Sequence, residues 1–144
     1  MVNPIPQGQY RPAVRYENLV FSAGMTPRKD GVLLMSGKVK RETSVETYRV
    51  AVQQATDNAL TAIRNTLIQE EKIQQILSLT VYVNGEEGYT AHSKLGDLAS
   101  DYLYDQLGDG GIGARAAIGV VSLPGNAPIE IQIVAAVSKT IEDS

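Results

Sequence analysis

The sequence predicts an α+β fold in which two helices pack on one face of a single mixed sheet. Three observations point that way. Residues about 44–68 and about 89–106 repeat apolar side chains at three- and four-residue spacing, as amphipathic helices do. Residues 77–83 alternate apolar and polar side chains, as a strand with one buried face does. Short apolar runs bounded by Gly, Pro, Asn and Asp lie toward both ends of the chain. The order strand, strand, helix, strand, helix, strand, strand is met most economically by one sheet with both helices on the same side.

Residues 1–9 hold Pro4 and Pro6 and are expected to form an irregular arm. Residues 14–16 and 19–22, joined at Glu17-Asn18, read as strand, tight turn, strand. Gly24 ends the second strand, Pro27 and Asp30-Gly31 mark a loop, and residues 32–35 read as a further short strand. Thr43-Ser44-Val45-Glu46 fits a capping box, a hydroxyl followed three residues later by a glutamate, so the first helix is expected to begin there. Its apolar stripe is Tyr48, Val52, Ala55, Ala59, Ala62, Ile63 and Leu67, with Arg49, Gln53, Asp57 and Arg64 opposite. In the next strand Leu77, Leu79, Val81 and Val83 share one parity, and Asn84-Gly85 ends it. The second helix sets Leu95, Leu98, Ala99, Tyr102 and Leu103 along one side. A glycine-rich loop over 108–113 leads into a strand at 114–122, and a turn through Pro124-Gly125-Asn126 is expected to return the chain as its hairpin partner over 129–137. The sheet face away from the helices is left open, and its Val, Ile and Tyr content predicts an apolar patch of the kind that becomes an interface. The 144 residues fit one domain, 1–144, with no repeat, low-complexity tract or linker.

Composition removes several chemistries. The chain has no cysteine, no tryptophan and a single histidine, His92. Disulfides, thiolate nucleophiles and cysteine-based zinc sites are therefore excluded, and no metal site or cofactor is expected. The net charge is −3, and the basic residues Arg28, Lys29, Lys38, Lys40 and Arg41 are diluted by Asp30 and Glu42, which argues against nucleic acid as a partner. The chain opens with no signal-peptide pattern, and its apolar runs fall well short of a membrane span, so a cytoplasmic protein without a membrane partner is expected.

Gly108-Asp109-Gly110-Gly111-Ile112-Gly113 matches GxGxxG, but it follows a helix and opens a strand, the reverse of a dinucleotide-binding turn. It reads instead as a helix C-cap. His92 has no carboxylate or second histidine at a metal-ligand spacing and reads as a partly exposed surface residue. No serine sits in a GxSxG elbow. The informative stretch runs from Arg115 to Gln132. Arg115 and Glu130 are charges set among Ala, Ile, Gly and Val, where charged side chains rarely sit without partners. A register placing both on one face would let them share a cleft, as a structural ion pair or as a site.

Arg115-Ala116-Ala117-Ile118-Gly119-Val120, Leu123-Pro124 and Ile129-Glu130-Ile131 resemble the signature of the YjgF/Rid family, also called reactive intermediate deaminases or L-PSP endoribonuclease-like proteins. Gly8-Gln9-Tyr10, Asn18-Leu19-Val20-Phe21 and Ala23-Gly24 resemble that family's opening hairpin, so the likeness spans about residues 8–137. The resemblance implies a chorismate-mutase-like α+β fold, a homotrimer whose sheets pack inward, and small-molecule clefts between subunits. It implies that Arg115 binds a substrate carboxylate, Glu130 positions or activates water, Tyr10 closes the cleft, and Gly24 and Ala117 line it through their backbones. A guanidinium suits the first role because its planar fork meets both carboxylate oxygens. The sequence departs from the deaminase branch at Ala117, where that branch carries cysteine, at Ala23, where it carries a hydroxyl, and at Gln132, where it carries glutamate.

Two functions follow from the resemblance. One is an imine or enamine deaminase acting on 2-iminobutanoate- or 2-iminopropanoate-type substrates without a cofactor. The other is a non-catalytic trimer that binds small 2-keto or amino acids. Endoribonuclease activity, suggested by the family's older name, is disfavoured by the acidic balance.

Overall fold

The computed structural model describes residues 2–139. Residues 2–9 form neither helix nor strand, and the expected arm's Met1 lies outside the described residues. Strands β1 (Ala13–Tyr16) and β2 (Leu19–Ser22) make an antiparallel hairpin, turned at Glu17 with φ of 53°. A two-residue pair follows, β3 (Arg28–Lys29) against β4 (Val32–Leu33). Then come helix α1 (Arg49–Arg64), β5 (Glu71–Val83), helix α2 (His92–Leu107), β6 (Ala114–Gly119) and β7 (Ile129–Lys139). The main sheet has the order β1-β2-β7-β5-β6; only β5 and β6 run parallel, so it is mixed.

Both helices cover one face of this sheet. The stripe expected on α1 is buried at Val52, Ala55, Ala59, Ala62 and Ile63, and α2 contributes Leu95, Leu98, Ala99 and Leu103. Against them the sheet presents Val20, Ile76, Leu79, Val81, Val83, Ile129, Ile131, Ile133 and Ala135. The first helix starts later than the capping box implies. The Ser44 hydroxyl accepts from Glu46 N at 3.3 Å and opens a short 3-10 turn, Val45–Tyr48. The Glu46 carboxylate pairs forward with Arg49 instead of reaching back. The helix also stops short of 68, because the Thr66 hydroxyl donates to Ile63 O at 2.7 Å and competes with the helical ladder. Its neighbour α2 ends where the glycines begin, at Gly108 with φ of +71°.

Three expectations about strands are corrected. The strand expected over 32–35 pairs only at Val32–Leu33. Leu77 is exposed and does not share the buried parity, because register shifts at 73–75 and 76–78 insert residues into β5; Ile73 and Ile76 take the inward places. Strands β6 and β7 are not hairpin partners, because β5 lies between them. Pro124 and Pro128 suit a wide crossing over the end of β5 instead of a tight turn, and buried Asn84 pins that crossing. Its side chain donates to Asn126 Oδ1 at 3.1 Å and Ala127 O at 3.0 Å, and accepts from Lys38 Nζ at 2.8 Å.

The opposite sheet face is open, as expected. Cross-strand rows Val14–Phe21–Val134–Ser78–Ala114 and Glu130–Tyr82–Ile118 run across it. Val14 (51% exposed), Phe21 (44%) and Ile118 (44%) project from it.

Candidate functional site

Glu130 lies between Ile129 and Ile131, both buried against the helices, so strand alternation sends its side chain to the open face. Met25 and Ile131 exchange backbone hydrogen bonds of 2.7 and 2.9 Å, which clamps the segment after β2 onto β7. Gly24 is thereby held against the Glu130 carboxylate: a Cβ at position 24 would lie 2.2 Å from Oε2. The absence of a side chain at 24 makes the space that the carboxylate fills.

Tyr10 folds over from the arm. Its hydroxyl accepts from Gln7 N at 3.0 Å, and its ring packs over Gly8. Tyr10, Arg11, Phe21, Gly24, Arg28 and Glu130 line a cavity of about 610 Å³. A second cavity of about 360 Å³ lies between the arm and α1 and shares Tyr10, Gly24, Thr26 and Arg28 with the first. Glu130 is half-buried and accepts no hydrogen bond from the described residues, and burial raises its pKa above the ordinary carboxylate value. A carboxyl group so placed takes up and releases protons nearer neutrality than an exposed one. Gln132, two residues on and on the same face, donates to Ser22 O at 3.3 Å and accepts from the Tyr82 hydroxyl at 3.4 Å.

The structure brings Tyr10, Gly24 and Glu130 together but separates them, within one chain, from Arg115 and Ala117. Arg115 pairs in register with Leu79, on the helix-covered face, whereas Glu130 pairs with Tyr82 on the open one. The Arg115 guanidinium lies over Gly96 of α2. Nη1 donates to Asp97 Oδ1 and Ser100 Oγ, both at 3.0 Å, and Nη2 donates to Ser93 Oγ at 2.9 Å and Ser93 O at 3.3 Å. Ala117 is partly buried on the same face and packs against the core. His92 opens α2, meets Tyr89 edge-to-face at 5.4 Å and lies against Gly119.

Sequence reasoning missed Arg11, Arg28 and Thr26 as cavity residues. Arg28 was visible only as part of a basic stretch, since nothing local says that β3 folds back onto α1, where Asn58 donates to Arg28 O. The GxGxxG loop is occupied by packing. A Cβ at Gly110, Gly111 or Gly113 would lie 2.5, 2.3 or 2.0 Å from the carbonyl oxygens of Gln74, Leu103 and Ile76, which leaves those glycines pressed on backbone rather than open to a phosphate. Among the described residues no group of three or more His, Asp or Glu side chains is placed to hold a metal ion. No described helix is long and apolar enough to cross a membrane.

Similarity to known proteins agrees with this architecture. A RutC family protein of Aquifex aeolicus (strain VF5) is 28% identical over 132 residues, covering 92% of this chain and 91% of its own. The solved structure of Atu1372 from Agrobacterium tumefaciens, a protein with unknown function, is 26% identical and superposes with a TM-score of 0.81 over 96% of this chain and 87% of that one. The YjgF gene product of E. coli shares the fold at 20% identity, with a TM-score of 0.66 over 93% of this chain and 92% of that one. The family model described as Endoribonuclease L-PSP matches residues 1–137. The chain belongs to this L-PSP family, the YjgF/Rid family that its sequence resembles.

Proposed function

We propose that the protein hydrolyses small 2-imino acids, and their enamine tautomers, to 2-oxo acids and ammonia. The observation that carries this reading is the half-buried Glu130 carboxyl, unpartnered and with a raised pKa, set against Gly24 in an open cavity. An imine carbon is already electrophilic, so a single carboxyl can serve the reaction. Glu130 accepts a proton from water as the C–O bond forms and the C=N π electrons move to nitrogen. It returns that proton to nitrogen to give the carbinolamine, then takes the proton of the new hydroxyl as the C=O bond forms and passes it to the amine as the C–N bond breaks, releasing the 2-oxo acid and ammonia. Tyr10 covers the cavity, and backbone groups at Gly24 line it. The substrate carboxylate is taken by Arg115. Arg115 lies on the opposite sheet face from Glu130 of its own chain, on the edge strand β6; in this reading the Arg115 of one copy and the Glu130 of another share a cleft in a homotrimer.

The test is 2-oxo acid formation from freshly generated imines of several amino acids, with and without purified protein. Acceleration is expected. Glu130→Gln should lower it by about 10²-fold or more, the usual worth of a positioned acid-base group. Arg115→Ala should abolish it, and an unchanged rate with wild-type protein overturns the proposal.

A second reading, a non-catalytic binder of small 2-keto or amino acids, is favoured by one observation. The Arg115 fork is already filled by Ser93, Asp97 and Ser100 of its own chain. A rise in melting temperature with 2-oxobutanoate, in the absence of any turnover, would select it.

A further inference from the structure

The cavity beside Glu130 is lined by a cation, Arg28, whose Nη2 is not buried and donates to no acceptor among the described residues. Arg28 donates from Nη1 to Gly31 O at 3.1 Å, the one side-chain hydrogen bond it makes among the described residues. Its Nε is buried without a hydrogen-bond partner, the single such side-chain atom among the described residues. It takes part in none of the ion pairs among them. Buried polar groups in folded proteins are nearly always paired, so this edge calls for an explanation. A guanidinium presents Nε and Nη2 side by side, at the spacing of two carboxylate oxygens.

The platform under Arg28 is built. The Asn58 side chain, buried on α1, donates to Thr26 O at 3.1 Å and to Arg28 O at 2.8 Å, and Leu34 N donates to Pro27 O at 3.0 Å. Nη2 lies close over Gly125, where an added Cβ would stand 3.2 Å away. Arg28 lines both cavities, and the larger one is lined by two cations, Arg11 and Arg28, and a single carboxylate, Glu130. A volume of about 610 Å³ lies within the range of sites for ligands much larger than a three-carbon acid.

We propose that Arg28 binds an acidic group of the ligand in the Glu130 cavity, so that the site prefers 2-oxo and 2-imino acids bearing a second carboxylate. This rests on the site reading above: Arg115 takes the carboxylate beside the reacting carbon, and Arg28 takes the distal one. Isothermal titration of the full chain with 2-oxoglutarate and with 2-oxobutanoate tests it. Wild-type protein should bind 2-oxoglutarate about tenfold or more tightly, the low end of a charge-assisted hydrogen bond. Arg28→Gln should lose at least about tenfold more affinity for 2-oxoglutarate than for 2-oxobutanoate. Should that variant fail to fold, judged by its unliganded melting temperature, Arg28→Lys decides: a point charge without the fork should narrow the preference. Equal affinities in the wild type, or an undiminished preference in the variant that folds, overturn the proposal. A preference that depends on Arg28 in a protein that hydrolyses no imine would refute the deaminase reading and leave this one standing. Imine hydrolysis indifferent to a second carboxylate would do the reverse.

Discussion

At position 24 any side chain competes with the carboxyl of Glu130 for the same space. Gly24→Ala should therefore displace that carboxyl, cost about 1–3 kcal/mol in chemical denaturation, as overpacking does, and remove imine hydrolysis together. Glu130 has its own signature in acid. Its folded-state pKa is raised by burial, so ionisation costs more in the folded chain than in the unfolded one. That cost is absent below the ordinary carboxylate value and grows as pH rises through the folded value. Thermal melts should thus show Glu130→Gln more stable than wild type at neutral pH, with the gap closing toward acid. Glu71 behaves in the opposite sense. Arg15 holds it by two hydrogen bonds of 2.6 Å, and Ile68 N adds one of 2.8 Å; together they pull its pKa down to about 2. Its contribution is present above the ordinary carboxylate value and lost as pH falls from there toward about 2. Glu71→Gln should lower the melting temperature most at neutral pH and flatten the acid limb, the variant and wild-type curves converging toward about pH 2.

The crossing from β6 to β7 depends on one buried amide. Asn84 ties Lys38, Asn126 and Ala127 to the end of β5, so Asn84→Ala should cost about 2–4 kcal/mol, several hydrogen bonds' worth, in equilibrium denaturation. This element also shows where sequence reading stops. The period of α1 was legible because a helix repeats on its own residues, and Val52, Ala55, Ala59 and Ile63 face inward as their spacing requires. The cap at Gly108 was legible for the same local reason. Leu77 was misplaced because a bulge changes parity without changing composition. The neighbours of β6 were misassigned because strand order is a tertiary fact: Ala114–Gly119 chooses β5 as partner, and no residue within it says so. In the candidate site, Tyr10, Gly24 and Glu130 were legible through their motif. Arg28 was not, since its place in the cavity depends on Asn58, thirty residues away in sequence, holding the β3 backbone.

The molecule as a whole buries one side of its sheet and leaves the other bare. Tyr16, Leu19, Phe21 and Ile118 remain exposed on the bare side, in a chain that carries only −3 net charge to keep copies apart. Light scattering should report three times the 15.5 kDa chain mass, and Phe21→Glu, at the middle of the β1-β2 edge, should shift the population to monomer while each chain stays folded by circular dichroism. Under the proposed function, the opposite-face placement of Arg115 and Glu130 makes the unit of activity a seam between chains, not a chain. Two dead variants should cure one another. Arg115→Ala and Glu130→Gln, unfolded and refolded together in equal amounts, should regain roughly a quarter of wild-type turnover, because one seam in four draws both intact residues.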